Sequence, residues 1–414
     1  MEVPPMHPEP SSDELLLLQG DHRSSHIWEG ELLAQTLRVR RVDDMWDFLK
    51  GKVLHPRVVR RLQDTDFYRI LEIGRLQLDR SLITALIDWW RLETHTFHLP
   101  IGEATITLRD VEVIYGLPVD GHPVALPQAM RELTGGQYLD VLQQITGCRP
   151  QEETTLARAS RLQLTTIRDH LEVLHTDITG DTTEVHIHRY TRFLLLLMFG
   201  GVLFSNTSGN LVSLTFLHHL ERLDDLPQYS WGAAVLAYLY RQMCRPTMGT
   251  QRDVAGFLPL LQVWAWERFM QLQPPLPLLA PGVPPLFLPL ARRWVLRWGY
   301  GREYKARHNL PLCRDLLDLL EGAQASSSPI TEATLCDADL AATDDYIQEP
   351  DETMVTAGPT TPFTEFASTT DDHAAAHPAI KKQRDEDDPH SVVGWDGMRL
   401  RPAATLKHTG CGTH

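Results

Sequence analysis

The chain has 414 residues, of which 43% are hydrophobic and 22% are charged, and its formal net charge is −15. The charge is unevenly distributed, because residues 321–414 contain 17 acidic and 6 basic side chains (net −11), which leaves −4 for residues 1–320. This division excludes a uniformly acidic globule, and it also excludes a strongly basic nucleic-acid-binding domain.

Composition predicts the same boundary between a folded body and a tail. The last 94 residues contain only twelve Leu, Ile, Val or Phe, which is too few to form a core, and nine of the ten tryptophans precede Glu321. We therefore predict an N-terminal arm with leading helices over residues 1–56, its first 30 residues mobile. A folded domain over residues 57–320 and a disordered acidic tail over residues 321–414 are expected to follow.

Cysteine usage and hydropathy predict a soluble intracellular protein that does not associate with membranes. The five cysteines form no C-x-x-C pair, which is typical of a reducing compartment and argues against a zinc ribbon. The longest apolar run, Phe193–Phe204, is shorter than the roughly 20 residues that span a bilayer. The basic cluster Lys381-Lys382-Gln383-Arg384 fits a nuclear-import signal, although clusters of this size also arise by chance.

In chain order, the first regular elements are helices followed by a small hairpin. Leu82, Leu86 and Trp89 recur at helical spacing, so helices are predicted between Arg57 and Trp90. Next, Phe97–Pro100 and Ala104–Thr107 are β-prone and are separated by Ile101–Glu103, a pattern that predicts a hairpin.

A short capped helix is predicted directly after the hairpin. Thr107 has Asp110 three residues later, where the carboxylate can return to the amide of the capping residue and complement the helix dipole. Val111 contributes to the apolar stripe, Gly116 is expected to end the helix, and Pro118 stops it.

The rest of the body is predicted to be mainly helical. Residues 122–184 show no strong pattern, whereas the chain from Tyr190 is apolar and helical apart from a polar turn at Ser205–Asn210. Ser230 is expected to cap the next helix, and the segment from Phe257 to Met270, apolar nearly all round, is expected to lie in the core. The predicted fold class is mainly α: a multi-helix globular domain with a small β-hairpin.

Four blocks of the sequence resemble the plant mobile domain family. The run ETHTFHLPIGEATITLRDVEVIYGLPVDGHPV at 93–124 is similar to its signature, and blocks at 189–210, 229–245 and 258–268 follow in the family's order. The resemblance extends from about Arg57 to about Leu320. Signature positions that we expect to be structural are Phe97, His98, Leu99, Pro100, Gly102, Glu103, Thr107, Asp110, Val111, Gly116, Leu117, Pro118, Trp231, Trp264, Trp266 and Glu267.

The resemblance implies a biological role but no catalytic residues. Family members are often labelled aminotransferase-like or protein phosphatase seven long-form homologs. Proteins of meristem maintenance in this family act in the nucleus, in transposon silencing, in genome stability and with phosphatase-like partners. The chain departs from the family at Ile101, where a Cys is usual, and again after Cys313–Asp318, which leaves open whether the end of the domain is missing.

Tests of specific chemistry in the sequence predict no catalytic, cofactor or metal site. A pyridoxal enzyme needs a Schiff-base lysine, and the body has only Lys50, Lys52 and Lys305. The phosphatase metal loops are absent, and Gly20-Asp21-His22 is an ordinary turn pattern. His186 and His188 would share a face only in an extended segment, and no third ligand lies at metal spacing.

Two functional hypotheses from different classes stay open at this point. The first is a non-enzymatic nuclear scaffold that binds a protein partner. The sequence supports contact with chromatin or nucleic acid less strongly. The second is a transposon-derived or element-encoded DNA-processing or DNA-binding protein. Nuclease chemistry would need three carboxylates, and none can be singled out among 37 acidic residues in the body. Glu267 is expected to form an ion pair.

Arginine is unusually frequent, with 30 Arg and 3 Lys in the body. Arg293, Trp294, Arg297 and Trp298 form a candidate interaction surface, because guanidinium groups and indoles bind phosphate, carboxylate and bases. The alternative is a helix whose arginines cover apolar surface and pair with local acids.

Overall fold

A computed structural model describes residues 18–39, 44–150, 160–249, 251–274, 289–295 and 309–321, and the backbone alone of residues 392–393 and 399–400. The chain divides into two units, Met1–Ile347 and Gln348–His414. In the second unit, the described residues form one antiparallel strand pair. Apart from those strands and Glu321, the predicted disordered tail lies outside the described residues.

The first unit is mainly helical, which confirms the predicted fold class. The described helices are α1 (Arg23–Trp28), α2 (Asp44–Leu49), α3 (Pro56–Gln63), α4 (Tyr68–Ile73), α5 (Arg80–Trp89), α6 (Leu108–Tyr115), α7 (Gln128–Arg131), α8 (Gly135–Thr146), α9 (Leu164–Asp177), α10 (Glu184–Met198), α11 (Leu217–Leu220), α12 (Trp231–Cys244), α13 (Leu258–Arg268), α14 (Ala291–Val295) and α15 (Leu310–Asp318).

The described strands are short, and the last two belong to the second unit. They are β1 (Arg38–Val39), β2 (Trp90–Arg91), β3 (Thr96–Leu99), β4 (Gly102–Ala104), β5 (Arg161–Gln163), β6 (Leu211–Ser213), β7 (Asp253–Val254), β8 (Val392–Val393) and β9 (Arg399–Leu400). β1 pairs with β7 in parallel, and β5 pairs with β6 in antiparallel fashion. Short 3₁₀-helices occupy Gln19–Asp21, Leu214–Phe216, Leu223–Gln228 and Met270–Leu272, and Phe199–Leu203 is a π-helix.

The predicted hairpin is confirmed, with a tighter turn and a third strand. Phe97 pairs with Ala104 and Leu99 with Gly102, so the turn is Pro100–Ile101 and the second strand begins two residues earlier than expected. β2 pairs with β3 on its other side. The sequence pattern hides β2, because its tryptophan continues the apolar stripe of α5.

Two helices, α12 and α13, are buried on nearly all sides and form the centre of the core. The bounds of α13 agree with the core helix predicted around residues 257–270. Ser230 precedes α12 as expected, but its side chain makes no cap hydrogen bond, because Oγ donates to the carbonyl of Val119 at 2.6 Å. No helix among the described residues is long and apolar enough to cross a membrane.

The structure differs from the sequence predictions in three stretches. The pattern-poor segment 122–184 contains α7, α8 and α9. The apolar run after Asn210 begins with a strand, because Leu211–Ser213 pairs with β5. The N-terminal segment is ordered from Leu18 onward, where α1 packs onto α5 through the buried Arg23, which differs from the predicted mobile arm. Residues 1–17 lie outside the described residues.

Candidate functional site

The signature hairpin is anchored to the core by its inner face. Phe97 is fully buried and stacks on Trp264 of α13, with ring centroids 5.1 Å apart and planes 23° apart. Trp90 of β2 meets Phe97 edge-on at 4.8 Å. Leu99 is also buried, because alternate residues of a strand point to the same face. Phe97 and Trp264, two aromatic residues of the signature, therefore pack against each other in the core.

The outer face of the hairpin carries a small polar network. Nε2 of His98 lies 3.0 Å from Oγ1 of Thr94, and Thr96 donates to Glu103 at 3.1 Å. Burial lowers the pKa of His98, partly opposed by the carboxylate of Glu103. The hydrogen-bond partner of His98 is therefore the side chain of Thr94.

The predicted cap at the start of α6 is confirmed. Asp110 N donates to Oγ1 of Thr107 at 3.2 Å, and Oδ2 of Asp110 accepts from the Thr107 amide at 2.8 Å. Both halves of a capping box are therefore present. α6 ends at Gly116, whose φ of +68° lies in the left-handed region that favours glycine.

Asp110 also carries a long-range ion pair that the sequence does not reveal. Nη2 of Arg268 on α13 lies 2.5 Å from Oδ1 of Asp110, and both side chains are largely buried. One carboxylate therefore caps α6 with one oxygen and fixes α13 with the other. No spacing rule links two residues that lie 158 positions apart.

The neighbouring Glu267, for which an ion pair is expected, takes part in a hydrogen bond with a buried tryptophan. Its Oε1 accepts from Nε1 of Trp294 at 2.6 Å, and the rings of Trp266 and Trp294 lie 5.0 Å apart. Trp294 is buried, so it belongs to the core rather than to the candidate interaction surface. The side chain of Arg293, and all of Arg297 and Trp298, lie outside the described residues.

The end of the signature packs closely against α12. The amide of Gly232 donates to the carbonyl of Pro118 at 2.7 Å, and a Cβ on that glycine would lie 3.2 Å from Val111. Leu117 and Trp231 are fully buried, and the Trp231 indole donates to the carbonyl of Leu226 at 2.9 Å. These signature residues therefore fix α6 against α12.

A second buried carboxylate lies outside the signature. Oδ1 of Asp88 lies 2.7 Å from Nε of Arg23, and Oδ2 lies 2.8 Å from Nε of Arg314. Arg23 also donates to the carbonyl of Gln35 at 3.0 Å, and Arg314 to that of Leu33 at 2.8 Å. We call Asp88, Arg23 and Arg314 the Asp88 cluster. It joins α1, α5 and α15, and no sequence motif predicts it.

The titratable groups of these regions are tuned mainly by burial. Burial, reinforced by Arg91, lowers the pKa of His22 to about 3, so this residue is neutral at pH 7. Its Nδ1 accepts from the Ser24 amide and caps α1, which gives the Gly20-Asp21-His22 pattern a structural role. Burial raises the pKa of Asp318 to about 7, helped by Asp315 and Asp88.

Metal ligands do not cluster in the part of the chain that the structure describes. Within those ranges, no group of three or more His, Cys, Asp or Glu side chains could hold a metal ion. His186 and His188 lie on α10, so their side chains point in different directions around the helix and do not share a face. Lys52, one of the three body lysines, pairs with Glu172 at 2.9 Å.

Comparison with known proteins assigns the family. The family described as the plant mobile domain matches residues 66–357, more than half of the chain. The chain belongs to the plant mobile domain family. The match continues past residue 320, where we ended the predicted domain.

Several Arabidopsis thaliana proteins are similar to this chain. The chain is 34% identical to "Serine/threonine-protein phosphatase 7 long form homolog", over 79% of its own length and 24% of that protein. It is 32% identical to "Protein MAIN-LIKE 1", covering 62% of this chain and 48% of the relative. It is 31% identical to "Protein MAINTENANCE OF MERISTEMS", covering 59% and 49% respectively.

The chain therefore spans between about a quarter and about half of the length of these relatives. No solved structure matches the chain.

Proposed function

We propose that this plant mobile domain protein is a non-enzymatic nuclear scaffold that acts in transposable-element silencing, genome stability and meristem maintenance. In this role it binds a phosphatase-like nuclear protein and brings it to its targets. The names of its relatives, which refer to meristem maintenance and to a serine/threonine phosphatase, support the choice of process and of partner.

The proposal rests on one observation: the polar groups of the signature make hydrogen bonds and an ion pair within the domain. Asp110 accepts from the amide and hydroxyl of Thr107 and pairs with Arg268, while Glu267 accepts from Trp294. These contacts hold α6, α13 and α14 together within the domain. A signature whose charged groups are committed to internal contacts supports a binding framework better than it supports a reacting centre.

The test is affinity purification of the tagged full chain from plant nuclei, with imaging of a fluorescent fusion. We expect nuclear fluorescence and repeated recovery of one phosphatase-like protein, which then binds the purified chain directly without added metal. A control variant carrying Lys381→Ala, Lys382→Ala and Arg384→Ala tests whether the basic cluster directs import. Cytosolic fluorescence of the parent, or no phosphatase-like protein among the recovered proteins, would contradict the proposal.

The element-derived enzyme is tested with the same purified chain. If the chain cleaved DNA in the presence of Mg²⁺ or Mn²⁺, and substitution of a carboxylate abolished the cleavage, the protein would be a nuclease and the scaffold proposal would be wrong. We expect no metal-dependent cleavage of DNA by the parent.

A further inference from the structure

The helix α15 packs onto the domain with one apolar side. Its buried residues are Leu310, Cys313 and Leu317, and the elements that it contacts most are α5 and the turn Met270–Leu272. No described helix or strand of the first unit follows it. A helix that ends the described part of a unit and is held on one side can open locally while the rest of the core stays folded.

One arginine provides the polar fastening of α15. Nε of Arg314 pairs with Asp88 and Nη1 donates to the carbonyl of Leu33, both at 2.8 Å. The remaining nitrogen, Nη2, is buried and has no hydrogen-bond partner among the described residues. A buried donor without a partner costs free energy, which is recovered when water reaches it. The fastening is therefore incomplete while the helix is docked.

The C-terminal end of α15 carries carboxylates in unfavourable places. Asp318 is the last residue of the helix, and its half-buried carboxylate has no hydrogen bond or ion pair with the described residues. Asp315 lies one turn earlier, and the last turn contains no basic residue. Negative charge at a helix C-terminus opposes the helix dipole, and like charges three residues apart repel each other. Ionisation of Asp318 therefore destabilises this end of the docked helix.

The surroundings of Asp318 act in the same direction. Burial raises its pKa to about 7, helped by Asp315 and by Asp88 of α5 and opposed by Arg314. The second arginine on Asp88 is Arg23 of α1, and the other turn that contacts α15 contains no titratable side chain. Once the helix leaves α5, the carboxyl regains the ordinary pKa of an aspartate, about 4. Between these pH values the docked form holds a proton that the open form has released, so a rise in pH favours opening.

We propose that α15 is a pH-dependent latch, which stays docked on α5 while Asp318 is protonated and opens more often as Asp318 ionises, with the rest of the domain still folded. Opening uncovers the apolar side of the helix and the part of α5 beneath it. The pH therefore regulates how often these two surfaces are available for binding. The latch is a conformational change of the chain alone, so it stands or falls independently of the scaffold role.

Cys313 provides the readout, because its thiol is buried on the docked side of α15 and reacts only after the helix opens. The full chain is treated with dithiodipyridine, and mass spectrometry of peptides assigns the reaction to each cysteine. Comparison of the parent with Asp318→Asn at the same pH removes the effect of pH on the thiol itself. We expect equal rates at pH 4, and at pH 8 a reaction about fivefold faster in the parent, because partial exposure of Asp318 reduces the effect of its shifted pKa.

Hydrogen exchange measured by mass spectrometry separates opening of the latch from unfolding of the whole domain. Relative to their intrinsic rates, the amides of α15 in the parent at pH 8 should exchange at least about tenfold faster than those of the central helix α12. Equal protection of the two helices would mean that α15 leaves only when the domain unfolds, and it would overturn the inference.

Two further variants locate the effect. Asp315→Asn removes an exposed charge that acts on Asp318, so Cys313 of this variant should react at pH 8 at a rate between those of the parent and of Asp318→Asn. The matched control is Asp169→Asn, which removes an exposed carboxylate from α9 and should react like the parent at both pH values.

Equal rates in the parent and Asp318→Asn at pH 8 would also overturn the inference. So would a faster reaction of that variant, because ionised Asp318 would then keep the helix docked, as it could by accepting from Nη2 of Arg314. Neither result bears on whether a phosphatase-like protein is recovered from nuclei, so failure of the latch and failure of the proposed function are told apart by separate measurements.

Discussion

Two buried carboxylates stabilise this protein, and they differ in what surrounds them. Asp110 lies in the signature, where one oxygen caps its own helix and the other pairs with Arg268. Asp88 lies outside the signature and is shared by two arginines from distant parts of the chain. The first carboxylate combines a local contact with a distant one, whereas the second makes only distant ion pairs. We therefore expect the Asp88 cluster to stabilise the packing of the helices against each other more than it stabilises any single helix.

The largest effect is expected from Asp88→Ala. This change leaves the fully buried Arg23 and the largely buried Arg314 without their carboxylate, and an uncompensated buried charge is costly. We expect a loss of about 5 kcal/mol in the free energy of unfolding, measured by urea denaturation with tryptophan fluorescence.

The control for this measurement is Asp169→Ala, whose 71%-exposed carboxylate pairs with Arg168 at 3.5 Å and should cost less than about 0.5 kcal/mol. If the free energy of unfolding of the Asp88 variant stayed within about 1 kcal/mol of the parent's, Arg23 and Arg314 would be adequately solvated without the carboxylate. The predicted difference between Asp88 and Asp110 would then be wrong.

A smaller effect is expected from Asp110→Ala, about 3 kcal/mol by the same method. About 1 kcal/mol of this loss belongs to the cap and the rest to the pair with Arg268. A double-mutant cycle with Arg268→Ala separates the two, because only the pair contributes to the coupling energy. A coupling energy near zero would show that Asp110 acts as a cap alone.

The sequence allows prediction of the contacts that are close together along the chain. Thr107, Asp110 and Gly116 mark their helix because capping depends on spacings of a few residues, and the structure places each as expected. The same kind of signal, Thr134 followed by Gln137, precedes α8, but this helix lies in a stretch without a strong apolar pattern and was not predicted.

Contacts between residues that are far apart along the chain could not be predicted from the sequence. Asp88 lies 65 residues from Arg23 and 226 residues from Arg314, and only the packing of α1, α5 and α15 brings them together. The flanking arginines predict a surface position for Trp294, whereas its contacts with Glu267 and Trp266 hold it in the core. Residue type and spacing describe which contacts a side chain can make, and tertiary packing decides which of them it makes.

The smallest effect concerns Asp318, beside the Asp88 cluster, whose pKa burial raises to about 7. In the unfolded chain this carboxyl ionises near pH 4, so between about pH 4 and pH 7 the folded protein holds a proton that the unfolded chain has released. This group therefore lowers stability as the pH rises through that window. Asp318→Asn abolishes the loss, and the variant should match the parent at pH 4 and exceed it at pH 8. Since Asp318 is partly exposed, the gain is discounted to about 1 kcal/mol, or roughly 2–4 °C in Tm.

Thermal unfolding at both pH values checks this prediction, with Asp169→Asn as a control that should show no pH-dependent difference from the parent. Equal stabilities of the Asp318 variant and the parent at pH 8 would mean that water reaches this carboxylate and that its neighbours do not hold the proton. A gain confined to high pH would instead show that burial, helped by the negative charges of Asp315 and Asp88 that Arg314 partly offsets, keeps the proton on Asp318. The Asp88 cluster would then differ from the Asp110 site in one further respect, because a buried carboxyl beside it makes stability depend on pH near neutrality.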